Sequence, residues 1–76
     1  MREKIYEEIR RLSMGQNHVW RFQQYNPFRL NLNPIEQREF STVMNELCEE
    51  GIFTVEKDDS VVLFRLTEKG EKLIYS

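Results

Sequence analysis

A single cysteine, Cys48, and a single histidine, His18, are all this chain holds of the residues that build disulfides, thiolate-imidazole metal sites and Cys-His dyads. No internal disulfide can form, a reducing compartment is expected, and neither a metal cluster nor a nucleophilic dyad can be assembled within one chain. The three glycines are isolated, so no glycine-rich loop is available to cradle a phosphate. The longest apolar run, Val61 to Phe64, is far too short to span a bilayer. Charge interrupts Met1 to Leu12 throughout, which leaves no apolar stretch for a secretory signal. A basic excess is lacking too. The 11 Lys and Arg against 13 Asp and Glu leave a net charge of −2, which speaks against a dedicated binder of polyanions at the level of the whole chain. These absences predict a cytoplasmic, non-catalytic protein with no cofactor, no resident metal and no membrane partner.

What is present is globular. Apolar residues make up 39% and aromatic residues 12% of the 76 positions, despite 32% charge. A chain this short forms one domain over residues 1–76 and buries only about 60% of its unfolded surface, so a homodimer would hide leftover apolar area. Ile5, Ile9 and Leu12, extended by Met1, recur at helical spacing and predict a first helix over Arg2–Met14, with Glu7 and Arg11 paired on its wet side and Gly15 as its stop. The segment QNHVWRFQQYNPFRLNLN shows no sustained period. A short strand near His18–Trp20 and one or two helical turns up to Tyr25 are expected there, with a turn at Asn26-Pro27.

The next element is the clearest. Asn33 is an N-cap, Pro34 falls at the first helical position and Glu36 completes a capping box. Phe40, Val43, Met44 and Leu47 then mark one apolar face, and Gly51 with Ile52 supplies a Schellman ending. IFTVE and VVLFRL read as a hairpin around a four-residue loop, Lys57–Ser60, with Glu56 opposite Val61. Phe53, Val55, Val62, Phe64 and Leu66 then share the core face. Thr67 caps a last short helix through Tyr75.

LCEEGIF resembles the L-x-x-x-G-hydrophobic end of the recognition helix in MarR- and PadR-like regulators, and FRLTEKGEKL resembles the hydrophobic-x-Leu-Thr-x-x-Gly exit from their wing. The resemblance covers roughly the second half of the chain. It implies the α+β fold of a small winged helix domain, with double-stranded DNA as partner and a role in transcription regulation. Under that implication the Asn33–Glu50 helix enters the major groove. Its outward strip, projected at about 100° per residue, is Arg38, Ser41, Thr42, Asn45 and Glu49. The first four are expected to read base edges, with Arg21, Arg29 and Lys57 on phosphates.

Two features oppose this reading. The same helix holds one basic and five acidic residues, with Glu39, Glu46 and Glu50 flanking the strip, and Asp58 and Asp59 stand beside Lys57. The alternative is a protein-interaction or homodimerisation module without DNA binding. Its interface would use Val61 and Leu63, which point away from the core face, with the aromatics Trp20, Phe22, Tyr25 and Phe28 read first as core and otherwise as further interface.

Overall fold

The computed structural model describes residues 1–76. Its elements run α1 (Arg2–Arg11), β1 (Val19–Trp20), α2 (Phe22–Leu30), α3 (Pro34–Glu49), β2 (Phe53–Asp58), β3 (Val61–Leu66) and α4 (Glu68–Ile74). This is an α+β architecture of four helices and one antiparallel three-stranded sheet in the order β1-β3-β2. All helices contribute to a single apolar cluster, in which Ile5, Ile9, Trp20, Met44, Leu47, Phe53 and Leu66 are completely inaccessible to solvent. No helix is long and apolar enough to cross a membrane.

The first helix ends earlier than its apolar spacing suggested. Ser13, not Gly15, takes the left-handed conformation (φ 54°). Met14 N–H bonds back to Ile9 O at 3.2 Å and Ser13 N–H to Arg10 O at 3.0 Å, a complete Schellman closure. Turning at Ser13 lets Met14 fold under the helix into the core, which explains the shorter element. The expected Glu7–Arg11 pair does not form. Arg11 instead grips both oxygens of Glu8, at 2.8 and 2.7 Å, one turn below it.

The second helix corrects the turn expected at Asn26-Pro27, for it runs through Pro27 to Leu30. Pro27 removes one ladder bond and strains the preceding turn. Aromatic packing outweighs that penalty. Tyr25 and Phe28, one helical step apart, both pack on Trp20, with ring centroids 5.6 and 5.7 Å away, and both also meet Phe40 of α3. Side chains close both ends. Gln24 Oε1 accepts from Arg21 N–H at 3.1 Å, and Gln37 Nε2 donates to the Leu30 and Leu32 carbonyls at 3.2 and 2.8 Å.

The third helix is as its sequence signals indicate. Asn33 Oδ1 accepts from Glu36 N–H at 2.9 Å, and the Ile52 and Gly51 N–H groups close on Leu47 O and Cys48 O at 2.9 and 3.0 Å. Gly51, at φ 80°, occupies the left-handed position that a β-carbon would strain. From there the chain enters β2 directly.

The hairpin has the expected faces in a different register. Asp58 pairs with Val61 and Val55 with Phe64, so only Asp59 and Ser60 form the turn. Both have positive φ, 49° and 70°, the twist that a two-residue hairpin turn requires. A slip of two residues preserves which side chains share a face. It does bring Lys57 opposite Val62, on the same face as Phe53 and Val55.

Thr67 then locks the last helix to the end of α3. Its hydroxyl donates to Gly51 O at 2.6 Å and accepts from Gly70 N–H at 2.9 Å, while its own N–H reaches Ile52 O at 3.1 Å. Across the molecule, Tyr75 Oη donates to Met14 O at 2.7 Å and Arg10 Nε to Ile74 O at 2.9 Å, which ties α4 to α1.

Candidate nucleic-acid interface

Each residue of the outward strip of α3 is where helical projection put it. Arg38, Ser41, Thr42, Asn45 and Glu49 are all exposed, because Phe40, Met44 and Leu47 hold the opposite face in the core. Ser41 and Asn45 form one wall of a groove of about 470 Å³ between α2, α3 and the hairpin. Arg29 from α2 and Lys57 from β2 stand in the same groove. Four of the sequence-selected residues therefore converge. Arg21, at the N-cap of α2, and Arg38 and Thr42 on α3 are exposed but do not line it.

The apolar walls come from Phe22 and Tyr25, Phe40, and the hairpin residues Val55, Val62 and Phe64. Phe22 is 40% and Val55 54% exposed, so both correct the expectation that they belong to the core. The reason is geometric: the hairpin extends beyond the helices that cover its inner face, and from Val55 outward that face is open. Lys57 on the same face is the signal of this. A four-residue loop would have placed Lys57 in the turn and hidden it. Inside the groove, Tyr25 Oη donates to Val62 O at 2.7 Å. Burial pushes the Tyr25 phenol above its ordinary range, and the nearby charge of Arg29 partly opposes this.

Electrostatically, the acidic flank of α3 is turned toward α1. Lys4 bonds Glu36 at 2.8 Å, while Arg2 lies 3.5 Å from Glu46 and forms a two-pronged pair with Glu50. Two cations of α1 thus reduce the net −4 of the Asn33–Glu50 segment to −2, and among its acids only Glu39 and Glu49 lack an ion-pair partner. Every basic residue selected from the sequence, Arg21, Arg29, Arg38 and Lys57, is free of ion pairs; the pairs that form use Arg2, Lys4, Arg11, Arg65 and Lys72 instead. None of the groove's ten lining residues is acidic.

The paired carboxylates make acid stability testable. Hydrogen bonds from Lys4, Arg2 and Arg65 hold Glu36, Glu50 and Glu56 below the ordinary carboxylate value of 4.5. A depressed folded-state value contributes stability that is fully present above that ordinary value and is lost as pH falls through the folded one. The urea midpoint is therefore expected to be level near neutrality and to fall progressively below about pH 4.5. Lys4→Met should flatten the part of this fall that belongs to Glu36. A midpoint unchanged down to about pH 3 would contradict the assignment.

The proposed interface residues Val61 and Leu63 lie on the opposite sheet face. Val61 is 38% exposed at the hairpin tip, whereas Leu63 is half-buried. Leu63 is flanked by Arg65, whose guanidinium crosses the strands to Glu56 at 2.6 Å and also donates to Asn17 O at 2.7 Å. Cys48 is half-buried, and burial pushes its thiol up, away from nucleophilic use. His18 Nδ1 accepts from Gly15 N–H at 2.8 Å and so closes the turn before β1. No three His, Cys, Asp or Glu side chains come together as a metal site. Comparison with protein-family models, curated proteins and solved structures finds no match to this chain.

Proposed function

We propose that the chain is a winged helix domain that binds double-stranded DNA, as a small transcriptional regulator or part of one, and that it is not an enzyme. The element order and the central position of β3 are compatible with the winged helix architecture implied by the sequence resemblance. The observation that carries the reading is the division of charge. Carboxylates near α1 are occupied by Arg2 and Lys4, while Arg21, Arg29, Arg38 and Lys57 keep their charge available. Phosphate neutralisation dominates the affinity of such interfaces, so free cations matter more than the sum over the chain. In this reading Arg38, Ser41, Thr42 and Asn45 face the groove of the duplex, with the hairpin beside it carrying Lys57.

Titration of a labelled mixed-sequence duplex tests this. Three phosphate contacts, from Arg21, Arg29 and Lys57, predict a slope of log affinity on log salt of about −2.7, hence roughly a fortyfold loss between about 50 and about 200 mM salt. Arg38→Ala and Lys57→Ala should each weaken binding, and each phosphate contact removed should lower the slope by about one. Glu49→Gln, which deletes an unpaired acid on the exposed strip, should tighten binding. Absence of measurable binding at about 50 mM salt would remove the proposal.

A further inference from the structure

The groove between α2, α3 and the hairpin holds more apolar surface than a phosphate-tracking face requires. Its volume of about 470 Å³ falls within the range of roughly 300–1,000 Å³ typical of small-molecule sites. Four of its six apolar wall residues are aromatic; Tyr25, Phe40 and Phe64 are buried and form its floor, and Phe22 is the exposed ring. At its mouth the 40% exposed Phe22 and the 54% exposed Val55 offer surface that the core does not use. Its polar groups are equally uncommitted. Lys57, Ser41 and Asn45 make no side-chain hydrogen bond within the chain, and Arg29 makes one, to Asn26 Oδ1 at 2.9 Å.

We propose that this groove binds a single unpaired nucleotide, its base against the apolar walls, its edge on Asn45 and Ser41, and its phosphate on Arg29 and Lys57. Each class of lining residue then has a use. An exposed aromatic ring such as Phe22 stacks on any base, an asparagine amide offers a donor and an acceptor to a base edge, and two cations in a groove with no carboxylate in its lining suit a phosphate. Inorganic phosphate would leave the walls idle, and an aromatic carboxylate would leave the amide and hydroxyl idle. The site does not require duplex binding. It does engage four of the residues assigned to the duplex, so a bound nucleotide and a duplex must compete.

Trp20, the chain's only tryptophan, packs with ring centroids 5.6 Å from Tyr25 and 6.1 Å from Phe40, both groove walls, and so serves as a fluorescent reporter. Titration with the nucleoside monophosphates should give saturable binding that competes with duplex. Inorganic phosphate and benzoate should each bind at least about tenfold more weakly, as expected when stacking and edge contacts are absent. Phe22→Ala and Lys57→Glu, both at exposed positions, should each weaken the nucleotide about tenfold without changing the circular dichroism. A short single-stranded oligonucleotide distinguishes the source. Tighter binding than the monophosphates, still lost in Phe22→Ala, identifies an unpaired residue of a strand, and equal affinity identifies a free nucleotide. The proposal is overturned if no nucleotide saturates the protein, if phosphate or benzoate binds as tightly, or if Phe22→Ala has no effect. Duplex binding without nucleotide binding rejects the groove alone, and the reverse rejects only the duplex reading.

Discussion

Trp20→Ala is expected to remove about 3 to 5 kcal/mol of stability, the usual loss for truncating a fully buried aromatic side chain. Trp20 sits on the short edge strand β1 yet is wholly inaccessible. Its ring meets Tyr25 and Phe28 of α2, Phe40 of α3 and Phe53 of β2, all with centroids between 5.6 and 6.3 Å. One side chain therefore joins both middle helices to the sheet, and no neighbour can collapse into its place without leaving another. A domain of this size has a total stability of about 4 to 11 kcal/mol, at roughly 0.05–0.15 kcal/mol per residue. The variant should thus lose between about a quarter and all of its stability, and with a total at the lower end of that range it is largely unfolded in far-UV circular dichroism. Trp20→Phe should cost much less than the alanine change. It keeps a ring and also deletes the indole N–H, a buried donor with no partner that itself costs about 1 to 3 kcal/mol. If alanine at this position shifts the urea-derived stability by less than about 1 kcal/mol, the central role given to Trp20 is wrong.

Gly70→Ala is the second large effect, and its sign runs against helix propensity. Alanine inside a helix is ordinarily favoured over glycine by about 1 kcal/mol. Here a β-carbon would stand 2.3 Å from Ile52 O and 2.8 Å from Leu66 Cδ1. The leucine end can rotate, but the carbonyl cannot yield easily. It accepts from the Thr67 N–H at 3.1 Å, beside the Thr67 hydroxyl that donates to Gly51 O, and so it is fixed by the link between α3 and α4. Overpacking against backbone should exceed the propensity gain and leave a net loss of about 2 kcal/mol, or a melting temperature lower by about 8 to 16 °C in a chain of this length. Gly15→Ala is the control. Its β-carbon would come no closer than 3.4 Å to a carboxylate oxygen of Glu71, so it should be nearly neutral. Equal melting temperatures for Gly70→Ala and the parent would show that α4 rides further from Ile52 than described.

These two positions also show what a sequence can disclose. The boundaries of α3 were legible because each signal, Asn33, Pro34, Glu36 and Gly51, acts on backbone groups within a few residues of itself. The faces of the hairpin were legible from alternation, but its register was not, since a two-residue slip leaves the alternation intact. Only the backbone at Asp59 and Ser60 decides it, and serine is a weak indicator of positive φ. At Pro27 a sound local rule failed because the competing interactions, Tyr25 and Phe28 on Trp20 and Phe40, are tertiary. The interface divides in the same way. Exposure along α3 followed from helical projection. That Glu36, Glu46 and Glu50 would be occupied by Lys4 and Arg2 depended on how α1 lies against α3, which no window of sequence contains.

The position of β3 has a bearing on how the protein would fail. Val61–Leu66 combines β-branched, aromatic and aliphatic residues with a single charge, the composition of segments that stack into fibrils. In the native sheet it is the central strand. β2 pairs with it along its length, β1 covers Phe64 and Arg65, and the Tyr25 hydroxyl occupies the Val62 carbonyl. The two outer edges of the sheet belong instead to β1, only two residues long, and to β2, whose far half carries Glu56, Lys57 and Asp58, charges that discourage a second chain from adding on. Aggregation should therefore begin from molecules that have opened β3, and its rate should follow the unfolded fraction rather than the native concentration. Variants weakened at Trp20 or Gly70 would then precipitate on mild warming, and a lysine in place of Val61, at the exposed end of the strand, should slow that precipitation more than it alters the melting temperature.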